Sequence, residues 1–385
     1  MPTTRTKNLL YQSMLPLFSP GCGRHPVVSS EGHPLCEPAA FERLIRKHHV
    51  LGSATLIASG EDQTLILTKS DNPSHIASGD TYFRVASITK MAAAALAMRF
   101  CDRGILELDR PVREYFSSPA VDSALGEITL RHLLSHTSGL ADPPGLEKDM
   151  EQCRPFPEFA AQARIAAPGS SFRYSNLGFG LIGCVMEAVL DQPVGAIFQE
   201  HLFTPLGMNA TLEGCRLPRE KIMPVTRILS RRKKPDLVLT PLGSVPLTSP
   251  DPLCHYGRTA GSMYSDAGSL RILLRELIGN ESHYLSSPSL AEMKKQQASY
   301  GSLSPALSYG LGLLFIQDPS LSGSRIIGHQ GFAYGCADGA FWEESTGRIL
   351  ITLNGGCSEA RRHGRLGAAN EDFLRWAFRK EMPQW

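Results

Sequence analysis

The stretch Met91-Ala92-Ala93-Ala94-Ala95-Leu96-Ala97-Met98 is apolar at every position. Wound as a helix it is apolar on all faces, which predicts a helix buried all round rather than one lying on the surface. That helix is expected from about Ser87 to Arg103, with Gly104 just beyond its end. Its alanines let neighbouring elements approach closely. Upstream, Phe41, Leu44, Ile45 and His48 recur at helical spacing. Residues 51–59 and 64–69 read as two strands, and Gly60 and Asp62 between them suit a hairpin turn. A short helix is expected over 130–135, started by Thr129. Longer ones are expected over 176–190 and about 266–278, the last with Ser265 as its N-cap. Strands return at 310–316, 337–342 and 349–354. A C-terminal helix over about 371–380 puts Phe373, Leu374 and Ala377 on one face. The order helix, strands, a long mostly helical middle, strands, helix predicts one sheet built from both ends of the chain with a helical part inserted.

Composition narrows the function classes. The 385 residues are 42% hydrophobic and 20% charged, which excludes bulk disorder, and the 35 Gly and 27 Pro follow no period, which excludes collagen-like or repeat structure. Lys+Arg 39 against Asp+Glu 37 leaves a net charge of +2, without the basic excess of a dedicated nucleic-acid binder. The basic run Arg231-Arg232-Lys233-Lys234 is read as a solvated loop. Nine cysteines, an odd number with no C-x-x-C, predict reduced thiols. After Arg5 and Lys7 the chain is interrupted by Asn8, Gln12, Ser13 and Pro16, and no A-x-A-like site follows. A cytoplasmic location is therefore expected rather than export. No run approaches the roughly 18 apolar residues of a membrane span. Residues 1–36 read as an irregular N-terminal extension. Within it Cys22-x-x-His25 and His33-x-x-Cys36 are zinc-type pairs, but the seven residues between them are short for a finger, so they are read as incidental. No metal and no cofactor is expected.

Two motifs are decoys. Gly178-Phe179-Gly180-Leu181-Ile182-Gly183 matches G-x-G-x-x-G, but Arg173-Tyr174-Ser175-Asn176 precedes it where a dinucleotide site needs a strand, and helix packing through small residues explains it better. No G-x-S-x-G occurs; Gly356-Cys357-Ser358-Glu359-Ala360 is the nearest miss.

The positive signal is Ser87-Ile88-Thr89-Lys90. On a helix, i and i+3 share a face, so Lys90 presents its amine one turn from the Ser87 hydroxyl. The helix N-terminus adds a positive field that favours a developing oxyanion. A lysine within an apolar helix is costly to bury charged, which moves it towards a base's working range. Tyr174-Ser175-Asn176 lies where a loop meets a helix and offers a phenol for proton transfer and an amide for positioning. His329-Gln330-Gly331 offers a strand edge with a glycine, beside which a substrate backbone can pair.

In this order the three elements resemble the serine β-lactamase and penicillin-binding-protein superfamily, in particular the class C β-lactamase-related esterases, D-aminopeptidases and DD-peptidases. Phe83-Arg84-Val85-Ala86-Ser87-Ile88-Thr89-Lys90 is similar to that group's nucleophile segment. So are Gly104 to Val112, Ile128 to Leu140, Pro205-Leu206-Gly207-Met208 and Ala260-Gly261-Ser262-Met263-Tyr264-Ser265 to its other landmarks. The resemblance spans about 45–357. It implies an α+β fold, an antiparallel sheet flanked by helices with a mostly helical subdomain inserted. Residues 37–125 and 300–385 would form the body and 126–299 the insertion.

The resemblance also implies roles. Ser87 would be the nucleophile of an acyl-enzyme, and Lys90 and Tyr174 would together take and return its proton. Asn176 would position Lys90 and the substrate amide. The backbone N–H groups of Ser87 and Phe332 would form the oxyanion hole, with His329 and Gly331 beside the substrate. Relatives that are β-lactamases carry Lys-Thr-Gly where this chain has His329-Gln330-Gly331, so no lysine is offered to a β-lactam carboxylate. His136 is read as structural, holding a turn. The expectation is a serine hydrolase of a small ester, amide or peptide. An acyltransferase and a non-catalytic penicillin-binding or regulatory homologue are the alternatives.

Overall fold

Strands from both ends of the chain form one antiparallel sheet. The structure, a computed structural model, describes residues 10, 13–15, 27–32, 35, 38–69, 75–228, 237–280, 282–302, 304–333, 335–362 and 366–378. Nine strands make up the sheet: β1 (Val27–Gly32), β2 (Ser53–Ser59), β3 (Asp62–Lys69), β4 (Ala298–Ser299), β5 (Leu307–Tyr309), β6 (Leu314–Ile316), β7 (Ile326–Ala333), β8 (Cys336–Glu343) and β9 (Ile349–Asn354). Their order is β1-β3-β2-β9-β8-β7-β6-β5-β4. The join between the two ends is β2 against β9, with Thr55 opposite Thr352.

Both faces of the sheet are covered. Successive side chains of a strand point to opposite faces, so Ala54, Leu56 and Ala58 of β2 enter one core and Ile57 the other. Likewise Ile349, Ile351 and Leu353 of β9 face the first core and Leu350 the second. This double burial is why the strands read as near-continuous apolar runs. The second core is closed by α1 (Pro38–His48) and a C-terminal helix (Ala368–Phe378), with the Phe41 and Phe373 rings 5.7 Å apart. The first holds α2 (Thr89–Asp102), α3 (Leu130–Leu134), α4 (Asn176–Leu190) and α5 (Ala267–Ile278). From Thr89 to Met98 every residue of α2 is buried, as its all-apolar pattern predicts.

Four local expectations need correcting. Residues 27–32 are not irregular: β1 pairs with β3 in register from Val27–Lys69 to Gly32–Thr64. This edge strand is held by backbone pairing and exposes Ser29, Ser30 and Glu31, so it carries no apolar alternation to read. The 310–316 strand is broken. Gly310 N–H turns to the Leu313 carbonyl and Gly312 N–H to the Leu134 carbonyl, taking both donors out of the ladder. The N-cap of α5 is Asp266, whose carboxylate accepts from Ser269 N–H at 2.6 Å. Ser265 is instead tied into a small sheet with Phe83 and Ala210. The C-terminal helix starts at Ala368, three residues early.

The glycine-rich motif lies inside α4. A Cβ on Gly180 would stand 1.5 Å from the Tyr256 carbonyl oxygen, and one on Gly183 would stand 2.8 Å from the Thr259 methyl. The glycines serve helix packing, as read. Among the described residues no single helix is long and apolar enough to cross a membrane. Cys22, His25, His33, Cys36 and 231–234 lie outside the described residues.

Candidate active site

Ser87 sits in a 3-10 turn, Ala86–Ile88, that runs into α2. The turn is pinned from three sides. Val85 N–H donates to the Met263 carbonyl at 3.0 Å. The Thr89 hydroxyl donates to the Ala86 carbonyl at 2.6 Å and accepts from Met263 N–H at 3.1 Å. Ala86 has φ 47°, a left-handed conformation that costs a residue with a Cβ on the order of 1–2 kcal/mol. The strand β7 passes directly beside it. A Cβ on Gly331 would lie 2.3 Å from the Val85 carbonyl oxygen, so only glycine lets the strand end meet the Ser87 turn.

Lys90 is fully buried, and its Nζ has three hydrogen-bonding neighbours: Ser87 Oγ at 3.1 Å, Asn176 Oδ1 at 2.9 Å and the Ala260 carbonyl at 2.5 Å. Two of them are carbonyl oxygens, which can only accept. A neutral amine that gives its two N–H groups to them keeps its lone pair for the third, the Ser87 hydroxyl. Burial pushes the Lys90 pKa down to about 7. Asp142 opposes that shift and Arg84 adds to it. The Tyr174 ring lies 5.0 Å from the Lys90 nitrogen and the Phe179 ring 5.7 Å.

Tyr174 and Asn176 flank the start of α4, where Ser175 is the N-cap, its Oγ accepting from Gly178 N–H at 3.0 Å. His136 holds this corner from below. Its Nδ1 accepts from Ser175 N–H at 3.2 Å, its carbonyl accepts from Arg173 N–H at 2.7 Å, and its ring lies 4.2 Å from that of Tyr174. With 1% exposure and φ 58°, it holds the turn.

His329 is 2% exposed, with Nδ1 2.7 Å from the Gln330 carbonyl and Nε2 2.9 Å from the Tyr309 hydroxyl. A carbonyl cannot donate, so Nδ1 carries the proton and Nε2 accepts from Tyr309. Burial, with Lys90 nearby, lowers the His329 pKa to about 3, so the ring stays neutral. Both nitrogens are spent on the protein, and the ring forms wall rather than cation.

Two cavities share Ser87, Asn176 and Phe332. One, of about 190 Å³, runs between Arg84, Leu146, Met150 and Leu242. The other, of about 210 Å³, is lined by Tyr174, Tyr300, Leu314 and His329. The structure thus gathers Ser87, Lys90, Tyr174, Asn176, His329 and Phe332 at one place, with Gly331 behind the Ser87 turn. Among the described residues no three His, Cys, Asp or Glu side chains cluster as a metal site.

Sequence reasoning missed Asp142, Tyr309 and the Ala260 carbonyl. Asp142 reaches Asn176 across 34 residues and Tyr309 reaches His329 across 20. No local spacing announces either contact, and a backbone carbonyl has no residue signal. Ala260 does fall in a stretch already singled out by resemblance.

A family model described as Beta-lactamase matches residues 39–350. Esterase EstB of Burkholderia gladioli is 29% identical over 196 residues, covering 44% of this chain and 49% of the relative. Penicillin-binding protein 4 of Amycolatopsis lactamdurans is 29% identical over 189 residues, 47% of this chain and 49% of the relative. The chain thus spans about half the length of these curated relatives. Among solved structures, a D-stereospecific amidohydrolase from Streptomyces sp. superimposes with a TM-score of 0.61 at 25% identity, covering 79% of this chain and 89% of that one.

Proposed function

Because the chain belongs to the Beta-lactamase family, we propose that it is a serine hydrolase that cleaves an ester or amide through an acyl-enzyme on Ser87. The observation that carries this reading is the Lys90 contact set, two obligate acceptors and one hydroxyl, which aims a neutral amine's lone pair at Ser87.

The Ser87 oxygen attacks the substrate carbonyl carbon while its proton passes to Lys90 Nζ. The carbonyl oxygen becomes an oxyanion that accepts from the backbone N–H groups of Ser87 and Phe332. On collapse the bond to the leaving oxygen or nitrogen breaks, and the proton travels from Lys90 by way of the Tyr174 hydroxyl to that atom. Water then attacks the acyl carbon and returns a proton to Ser87 as the acyl group departs as an acid.

Tyr174 faces the second cavity, so the leaving group sits there, and the acyl group lies in the first, against Leu146, Met150 and Leu242. A small ester, a D-amino-acid amide or a short peptide fits this reading. The names of the esterase and the D-stereospecific amidohydrolase to which the chain is similar support it. The neutral, fully engaged His329 supplies no charge to a β-lactam carboxylate, which supports slow β-lactam turnover at most. Transfer of the acyl group to an alcohol or amine is the second reading. The second cavity favours it, because the space beside Tyr174 that a leaving group vacates is open to an acceptor alcohol or amine. The seven described cysteines are free, which supports the cytoplasmic location in this proposal; cell fractionation tests it.

A fluorophosphonate probe should label the wild type and not Ser87→Ala. Equal labelling of the two, or none of either, removes the hydrolase reading and favours a non-catalytic homologue. Short p-nitrophenyl esters, D-amino-acid amides and nitrocefin assayed side by side should rank esters or amides well above nitrocefin.

A further inference from the structure

Asp142 lies in the loop that follows α3, outside every motif above. One carboxylate oxygen, Oδ2, accepts from Asn176 Nδ2 at 2.9 Å. The other, Oδ1, accepts from the Ser175 hydroxyl at 2.9 Å and from Leu177 N–H at 3.0 Å. A carboxylate has no proton to give, so the Asn176 amide must turn its NH2 towards Asp142 and its oxygen towards Lys90. The flipped amide would set oxygen against carboxylate and N–H against the Lys90 N–H groups. The same oxygen takes one of the two Lys90 N–H groups. Without that acceptor the amine is free to rotate its lone pair away from Ser87.

We propose that Asp142 is a positioning residue for the Ser87–Lys90 pair: through Asn176 it commits the Lys90 lone pair to the Ser87 hydroxyl, and its negative charge balances the positive charge of Arg84 at the amine. This rests on the hydrolase reading for its catalytic consequence, though not for its effect on Lys90. The polar and titratable groups around the amine are Ser87 and Arg84 from the nucleophile segment, Tyr174 and Asn176 from the start of α4, His329 from β7 and Asp142. Of these, Asp142 is the carboxylate and favours the ammonium, Arg84 disfavours it, and His329 is neutral.

The test is the titration of Lys90 itself, followed by NMR of ε-13C-lysine protein with the Lys90→Met variant assigning the signal. In Asp142→Asn, which keeps the shape and removes the charge, the midpoint should fall by about 0.5–1 pH unit. In Asp142→Glu it should stay near the wild-type value. The acid limb of fluorophosphonate labelling should move to lower pH in parallel, with a plateau rate about tenfold down. In an Asn176→Ala background Asp142→Asn should cost no further plateau rate. A Lys90 midpoint unchanged in Asp142→Asn overturns the proposal, as does a full additional tenfold loss in the Asn176→Ala background. A role confined to capping α4 would lower the melting temperature and leave the midpoint in place. Wild type that shows the Lys90 shift yet never labels at Ser87 would fail the hydrolase reading alone.

Discussion

Lys90 and Ser87 meet because a helix puts i and i+3 on one face, a relation visible in four consecutive letters. What would turn that adjacency into the proposed base is supplied from elsewhere: the Ala260 carbonyl, the Asn176 oxygen and burial. Burial disfavours the ammonium and lowers its pKa to about 7, and the ammonium has no lone pair to receive the serine proton. Acylation should therefore rise about tenfold per pH unit below 7 and level off above it. A pH profile of Ser87 labelling checks this; a rate flat from pH 5 to 9 contradicts it. Lys90→Arg, which keeps the charge and cannot lose it, should cut labelling by at least about 10²-fold at pH 8. Ser87, Lys90, Tyr174 and Asn176 were legible as candidates because each sits in a short motif whose chemistry is local. Asp142 and Tyr309 were not, because their partners are 34 and 20 residues away and only the fold brings them together.

Elements with one unbroken pattern were the readable ones: α2, apolar all round, and α4, apolar and glycine-rich. Gly180 shows why α4 needs its glycine. With Tyr256 backbone 1.5 Å from the position of a Cβ, Gly180→Ala must push the helix off its neighbour. The expected loss is about 1–3 kcal/mol or more, seen as a clear drop in melting temperature. Gly323→Ala, with nothing within 4 Å of its Cβ, should change little. Equal melting temperatures for the two variants would contradict this packing. The strand β8 holds a second testable feature, the fully buried Asp338, whose Oδ1 accepts from the backbone and side-chain N–H groups of Asn354, each at 2.9 Å. Burial raises its pKa well above the ordinary value, so the fold favours the protonated acid. Its contribution to stability is present at acid pH and is lost as pH rises through the folded value. Asp338→Asn should flatten that part of the pH–stability curve in urea titrations; an unchanged slope would show that Asp338 does not titrate there. Neither β1 nor the break at 310–313 was legible. The first is secured by backbone pairing along an exposed edge, and the second by donors drawn away to Leu313 and Leu134.

Across the whole molecule, the order of elements was readable from the alternation of strand-like and helix-like stretches, but register was not. A sheet buried on both faces has no polar face to count from, so runs such as Ile349-Leu350-Ile351 fit several pairings equally. The pairing itself is decisive for stability, because β9 lies between β2 and β8. A chain stopped after Glu344 would leave both of those strands with open edges and both cores uncovered. It should show no cooperative thermal transition and no near-UV circular dichroism, and a sharp transition in that fragment would contradict the role given to β9. The same wiring sets a timetable. Ser87 and Lys90 are synthesised 245 and 242 residues before Phe332, and at about 5–20 residues per second that gap is on the order of tens of seconds. Under the roles proposed above, the growing chain carries its nucleophile early but has neither the second oxyanion donor nor the β7 wall until synthesis has passed Ala333. Its chemistry is withheld from the nascent polypeptide until β7 has been made and paired.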